Sequence, residues 1–171
     1  MKLNVFRTTK TGLKTSLRLG EVSDELLIKK FFKTLSLESL RRRFLSLREE
    51  LLDDYLYNFF LTNSNMEIKI VVLVNHNDKK EIVGIGQLYP HPGTSLAEVA
   101  LVVSDNYHNK GIGRELLTFM MQLAKKRGLK GFEGIVHNDN RPILHLCRTV
   151  GFGTIERTLR PGVYELKMYF D

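Results

Sequence analysis

The chain has 171 residues, 43% of them hydrophobic and 26% charged, with a net charge of +7 and one cysteine. That length suits a single domain over residues 1–171, able to bury about two-thirds of the surface its unfolded form would expose. The composition is globular, no apolar run approaches the ~20 residues needed to cross a bilayer, and a lone cysteine excludes an internal disulfide or a multi-cysteine metal cage.

Met1 to Arg7 carries no secretory signal, so a cytoplasmic protein is expected. The positive charge favours a polyanionic partner, and a phosphate-rich cofactor satisfies that as well as a nucleic acid does. Gly12 to Leu19 alternates around Leu13, Leu17 and Leu19 and predicts an opening edge strand. From Ser23 to Leu61 the spacing turns helical. Ser23 and Ser36 are candidate N-caps, Leu26, Leu27, Phe31 and Leu35 share a face, and Leu51, Leu52, Tyr55 and Phe59 repeat it, which predicts two or three helices.

Ile68 to Val74 and Ile82 to Tyr89 are β-rich and flank the polar stretch Asn75 to Lys80, the pattern of a hairpin. After the break at Pro90-His91-Pro92-Gly93, Leu96 to Val103 predicts a third strong strand. Ile112, Leu116, Met120, Leu123 and Ala124 mark a helix that stops at Gly128 behind Lys125, Lys126 and Arg127, whose charges suit a helix C-terminus. Gly131 to His137 reads as a strand and Arg141 to Val150 as a helix. Thr154 to Leu159 and Val163 to Phe170 close the chain as two strands around Pro161-Gly162. No repeat, linker or low-complexity segment interrupts this order, which predicts an α+β domain with a central mixed sheet.

Between the third strand and the long helix the chain reads His108-Asn109-Lys110-Gly111-Ile112-Gly113-Arg114. Backbone N–H groups at a helix start have no partner and carry the positive end of the dipole, so they can receive phosphate oxygens. Gly111 and Gly113 are expected to keep side chains out of the anion's way, and Lys110 and Arg114 to add charge at the rim. The same turn would serve an ordinary glycine-capped helix. It lacks the spacing and the Lys-Ser or Lys-Thr of a Walker loop, and it is not a full dinucleotide fingerprint.

With two further blocks in order around it, this turn resembles the GNAT superfamily of N-acetyltransferases. The superfamily's pyrophosphate loop, Gln/Arg-x-x-Gly-x-Gly/Ala, becomes His108-Asn109-Lys110-Gly111-Ile112-Gly113, with His in the first position. Ala97 to Val103 precedes it, and Asn140-Arg141-Pro142 through Gly151-Phe152 follows. Asn140-Arg141-Pro142, Gly151-Phe152 and the stretch Phe31 to Phe44 are also similar to the bacterial protein-lysine acetyltransferase branch. The resemblance implies a mostly antiparallel twisted sheet flanked by helices, with acetyl-CoA as co-substrate in a V-shaped splay between the central strands and no metal.

The chemistry needs a proton acceptor, because a lysine amine is charged at neutral pH. Glu98 lies in a strand whose two faces both carry apolar residues, as a strand covered on both sides does, and an acid there would be poorly solvated and a better base. A frayed strand start with Glu98 in solvent fits the periodicity equally well. By resemblance, Glu98 matches the general-base glutamate of histone-directed members. The backbone of Leu101, Val102 and Val103 matches the segment that pairs with the pantetheine arm, with the Val103 N–H near the thioester oxygen. Asn140 matches a residue that bonds the arm, or is simply an N-cap. Cys147 stands where many relatives place a proton-donating tyrosine and is expected to be a small packed hydrophobe. Tyr107 is one alternative donor, and His76, His91 and His137 are expected to be surface or capping residues. Three activities follow in order: acetyl transfer to a protein lysine; transfer to a polyamine, amino acid or aminoglycoside; and a non-catalytic acyl-CoA sensor or basic nucleic-acid-binding module. Arg41-Arg42-Arg43 and Lys125-Lys126-Arg127 motivate the nucleic-acid reading.

Overall fold

The alternating runs form β1 (Asn4–Thr8), β2 (Lys14–Leu19), β3 (Ile68–His76), β4 (Lys79–Pro90), β5 (Leu96–Val103), β6 (Gly131–His137), β7 (Gly153–Arg160) and β8 (Val163–Tyr169). The helical runs form α1 (Glu25–Lys33), α2 (Leu37–Phe44), α3 (Ile112–Lys126) and α4 (Arg141–Val150). The computed structural model describes residues 4–44, 53–54, 66–150 and 153–170, with the backbone alone for 153–156. All eight strands join one sheet in the order β1-β2-β3-β4-β5-β6-β8-β7, antiparallel throughout except between β5 and β6.

β3 is apolar almost end to end because both of its faces are covered. Ile70, Val72 and Val74 pack under Leu116, Met120 and Ala124 of α3, whereas Val71 and Leu73 pack under Ile28, Phe31 and Phe32 of α1. Each such fully buried side chain contributes about 1.5–3 kcal/mol. α1 is tied to the sheet by Arg18 of β2, which donates two hydrogen bonds of 2.7 Å to Asp24. Burial pushes the Asp24 carboxyl up, but the bonds from Arg18 and from the Glu21 N–H outweigh it and hold the group below the ordinary carboxylate range.

Several expectations are corrected here. The segment from Gly12 to Leu19 is the second strand, since β1 pairs outside it and takes the edge. β1 alternates only between exposed and half-buried positions, so it leaves little hydrophobic signal. The hairpin turn is just Asn77-Asp78, both at positive φ (47° and 65°), and the strands run right up to it. Ser23 does not cap α1, because Asp24 accepts the Glu21 N–H in a preceding 3-10 turn. Ser36 does cap α2, its Oγ accepting the Ser39 N–H at 3.1 Å. The helix expected around Leu51, Leu52, Tyr55 and Phe59 falls outside the described residues.

Candidate active site

β5 and β6 run parallel through only Leu96↔Gly131, Ala97↔Phe132 and Glu98↔Glu133, and then part. On its other side β5 stays paired with β4 as far as Val103↔Gly84. The Ser104 N–H donates to the Val83 carbonyl, and the Ser95 carbonyl accepts from Lys130 on the opposite side. By strand alternation the polar backbone groups of Val99, Leu101 and Val103 therefore point into the gap, while those of Val102 turn to β4. A cleft of about 660 Å³, open to solvent, fills this gap. Its walls are mostly apolar and include Val99, Leu101, Phe132, Ile143, Cys147 and Met168.

The phosphate turn leads from the wide end of that gap. Asn109 and Gly111 adopt left-handed φ values of 58° and 85°, which bend the chain into α3. The helix has no side-chain cap, and the backbone N–H groups from Asn109 to Arg114 have no hydrogen-bond partner among the described residues. Unpaired donors at a helix N-terminus are an anion cradle. The loop is braced from two sides. His108 Nε2–H donates to the Val103 carbonyl at 2.9 Å, and Thr11 Oγ, in the β1–β2 turn, donates to the Lys110 carbonyl at 2.9 Å.

A Cβ at Gly111 would approach Thr9 Cβ at 3.2 Å, and one at Gly113 would meet Leu146 Cδ2 at 3.4 Å, an ordinary contact distance. Gly111 also supplies the left-handed turn.

Glu98 stands on the last paired rung but is exposed, so the expected shielding from water is not met. α1 and α2 pack on Val71 and Leu73 of β3, Ile82 and Ile85 of β4 and Val102 of β5. The rung partner of Glu98, Glu133, lines the cleft and has His91 at 3.0 Å and Lys167 at 3.9 Å. Glu133 was not among the expected site residues; an acid between Gly131 and Ile135 on one face of β6 was the available signal.

The arginine run is not a free basic patch. Arg41 pairs with Asp139 at 2.8 Å, Arg42 with Glu38 at 2.8 Å, and Arg43 donates to Gln87. Arg42 and Arg43 also line the cleft. The start of α2 is held to the segment after β5, because Asp105 accepts from Ser36 and Ser39. Burial raises the Asp105 carboxyl, yet those hydrogen bonds leave it below the ordinary range.

Asn140 precedes α4, and its Oδ1 accepts the Ile143 N–H at 3.5 Å, a loose N-cap on the cleft wall. Cys147 packs beside the main core and also faces the cleft. Tyr107 donates to Glu81 at 2.9 Å and lies 2.6 Å from His76; burial and Glu81 raise its hydroxyl to about 12, which keeps its proton in place. Among the described residues no group of His, Cys, Asp or Glu gathers as for a metal ion.

Comparison with known proteins agrees with this geometry. The fold is shared with the GNAT domain of S. lividans PAT (19% identity, covering 98% of this chain and 97% of that one, TM-score 0.81). It is also shared with the ribosomal-protein-S5-alanine acetyltransferase from Vibrio fischeri (16% identity, 98% of each chain, TM-score 0.70). A spermidine N-acetyltransferase chimera involving the Vibrio cholerae protein matches at 20% identity over 91% of this chain and 95% of that one, with a TM-score of 0.64. The family model for the Acetyltransferase (GNAT) family matches residues 34–152, so the chain belongs to the GNAT acetyltransferases.

Proposed function

We propose that the protein transfers an acetyl group from acetyl-CoA to a primary amine, and that the amine is a protein lysine side chain. The observation that carries this reading is the run of unpaired N–H groups from Asn109 to Arg114, placed beside a backbone edge left open on β5. The turn would hold the diphosphate, with Lys110 and Arg114 adding charge. The pantetheine arm would then extend the sheet along Val103 and Leu101 in place of the missing β6 pairing, with Asn140 on the facing wall. Because the Val103 carbonyl is tied to His108 in the phosphate loop, the Val103 N–H belongs to the diphosphate end of this path. The Leu101 N–H, nearer the vertex, takes over as the donor to the thioester oxygen. Val102 contributes only its place in the strand.

Glu98, at the vertex, is the general base of this reading, accepting the amine's proton directly or through water. A protein acceptor is favoured over a small amine because Glu98 is exposed among the described residues, where a long side chain could reach it from a bulky partner. A nucleic-acid module is disfavoured by the engagement of Arg41, Arg42 and Arg43 within the fold.

The test is to supply acetyl-CoA with lysine-bearing proteins and peptides, spermidine, amino acids and aminoglycosides, and to measure thiol release. Release with proteins or peptides is expected. Release with small amines alone would move the assignment to them, and tight coenzyme A binding with no release would indicate a sensor.

A further inference from the structure

Glu133 is placed as Glu98 was expected to be. It is the partner of Glu98 on the neighbouring parallel strand, at the last rung before the strands part, and paired residues of a sheet project from the same face. Unlike Glu98 it lines the cleft, with its side chain 26% exposed. His91, in the turn after β4, lies 3.0 Å from Glu133 Oε1 and is itself 41% exposed. Lys167 of β8 approaches the other oxygen at 3.9 Å, and Arg42 and Arg43 of α2 line the same cleft. One carboxylate oxygen is thus engaged by an imidazole that reaches bulk water.

Resting on the acetyl-transfer reading above, we propose that Glu133 is a second carboxylate of the site, sharing the acceptor's proton with Glu98, and that His91 is the positioning residue that holds it and passes the proton to solvent. The ammonium loses one proton to this carboxylate pair. The freed lone pair forms the C–N bond at the thioester carbon, and the C–S bond breaks with its electrons leaving on sulfur. The second nitrogen proton ends on that thiolate, giving the free thiol. The first proton moves from Glu133 to His91, 3.0 Å away, and out to water. The pair also selects a cationic acceptor, since two carboxylates side by side favour an ammonium entering over a neutral or acidic group.

The experiment measures acetyl-CoA affinity by calorimetry, together with acceptor-dependent thiol release, for the wild-type chain, Glu98→Gln, Glu133→Gln, the double variant and His91→Ala. Glu133→Gln is expected to lower kcat about tenfold or more with acetyl-CoA affinity within about twofold, and the double variant to fall below either single one. His91→Ala is expected to lose part of the rate and to regain it when imidazole is added to the buffer, which a purely structural role would not allow. Failure of the wild-type chain to release thiol with any amine would remove the functional reading itself. Wild-type turnover with Glu133→Gln within about twofold of it would overturn the second carboxylate while leaving that reading intact, as would loss of acetyl-CoA binding in parallel with activity. Absence of imidazole rescue would remove His91 from the route.

Discussion

The two sides of β5 differ sharply. Toward β4 it is paired from Ala97 to Val103, and toward β6 it is paired only from Leu96 to Glu98. The closed side leads into the doubly covered core, where Val71, Ile85 and Val102 lie beneath α1. The open side turns the backbone groups of Val99 and Leu101 toward a cleft with apolar walls, while the Val103 carbonyl is taken by His108. Interior backbone groups are seldom left without partners, and the acetyl-transfer reading proposed above gives this edge to the pantetheine arm. Stability and chemistry are divided between two edges of a single strand.

The vertex where the two sides meet is the place to break this division. A Cβ at Gly131 would lie 2.6 Å from the Met168 carbonyl and 2.9 Å from Leu96 Cδ2, so backbone has to move. Gly131→Ala should cost about 2–3 kcal/mol, seen as a melting temperature lower by about 5–10 °C. A change too small to resolve would mean that the vertex is looser than these distances imply.

On the closed side, Asp24→Asn leaves Arg18 without its carboxylate and should cost about 2 kcal/mol, while acetyl-CoA affinity stays at the wild-type value. The folded-state carboxyl is held below its ordinary value, so its contribution is fully present above about pH 4 and is lost as pH falls through the folded value. Denaturant titrations should accordingly show the wild-type advantage at neutral pH and its disappearance in acid. An advantage that grew in acid would refute the assignment.

The open side should respond in the opposite way. A Cβ at Gly134 would sit 3.3 Å from the Val99 carbonyl, one of the groups turned into the gap. Gly134→Ala should change stability by less than about 1 kcal/mol and weaken acetyl-CoA binding about fivefold, read by calorimetry. Equal affinity would mean that the arm does not run past Val99. The smallest effect belongs to Arg41→Ala. Its pair with Asp139 is exposed, and no resolvable shift in melting temperature is expected; a clear drop would show that α2 clamps the cleft mouth.

Much of the architecture was legible in advance because it rests on local periodicity. The strands at Ile68, Leu96 and Gly131 and the helices at Ile112 and Arg141 begin where the apolar pattern changes period, whereas the strand expected from Ile82 begins at Lys79. β1 was missed because an edge strand buries too little to imprint a pattern, and the hairpin turn was drawn too long because Asn and Asp tolerate left-handed backbone that a polar stretch does not announce. The phosphate turn was readable because a helix start and its unpaired donors are properties of one short segment.

What the sequence by itself determined, then, is most of the elements, the doubly buried strands and the glycine turn that opens α3, all consequences of side-chain spacing over a few residues. Only the tertiary structure decided that Glu98 meets water while Glu133 faces the cleft, that His91 reaches Glu133, and that the arginines of α2 engage Asp139, Glu38 and Gln87. Each of these depends on which strand or helix lies alongside, and the partners are distant along the chain. Spacing says which residues share a face; only the packed fold says what that face meets.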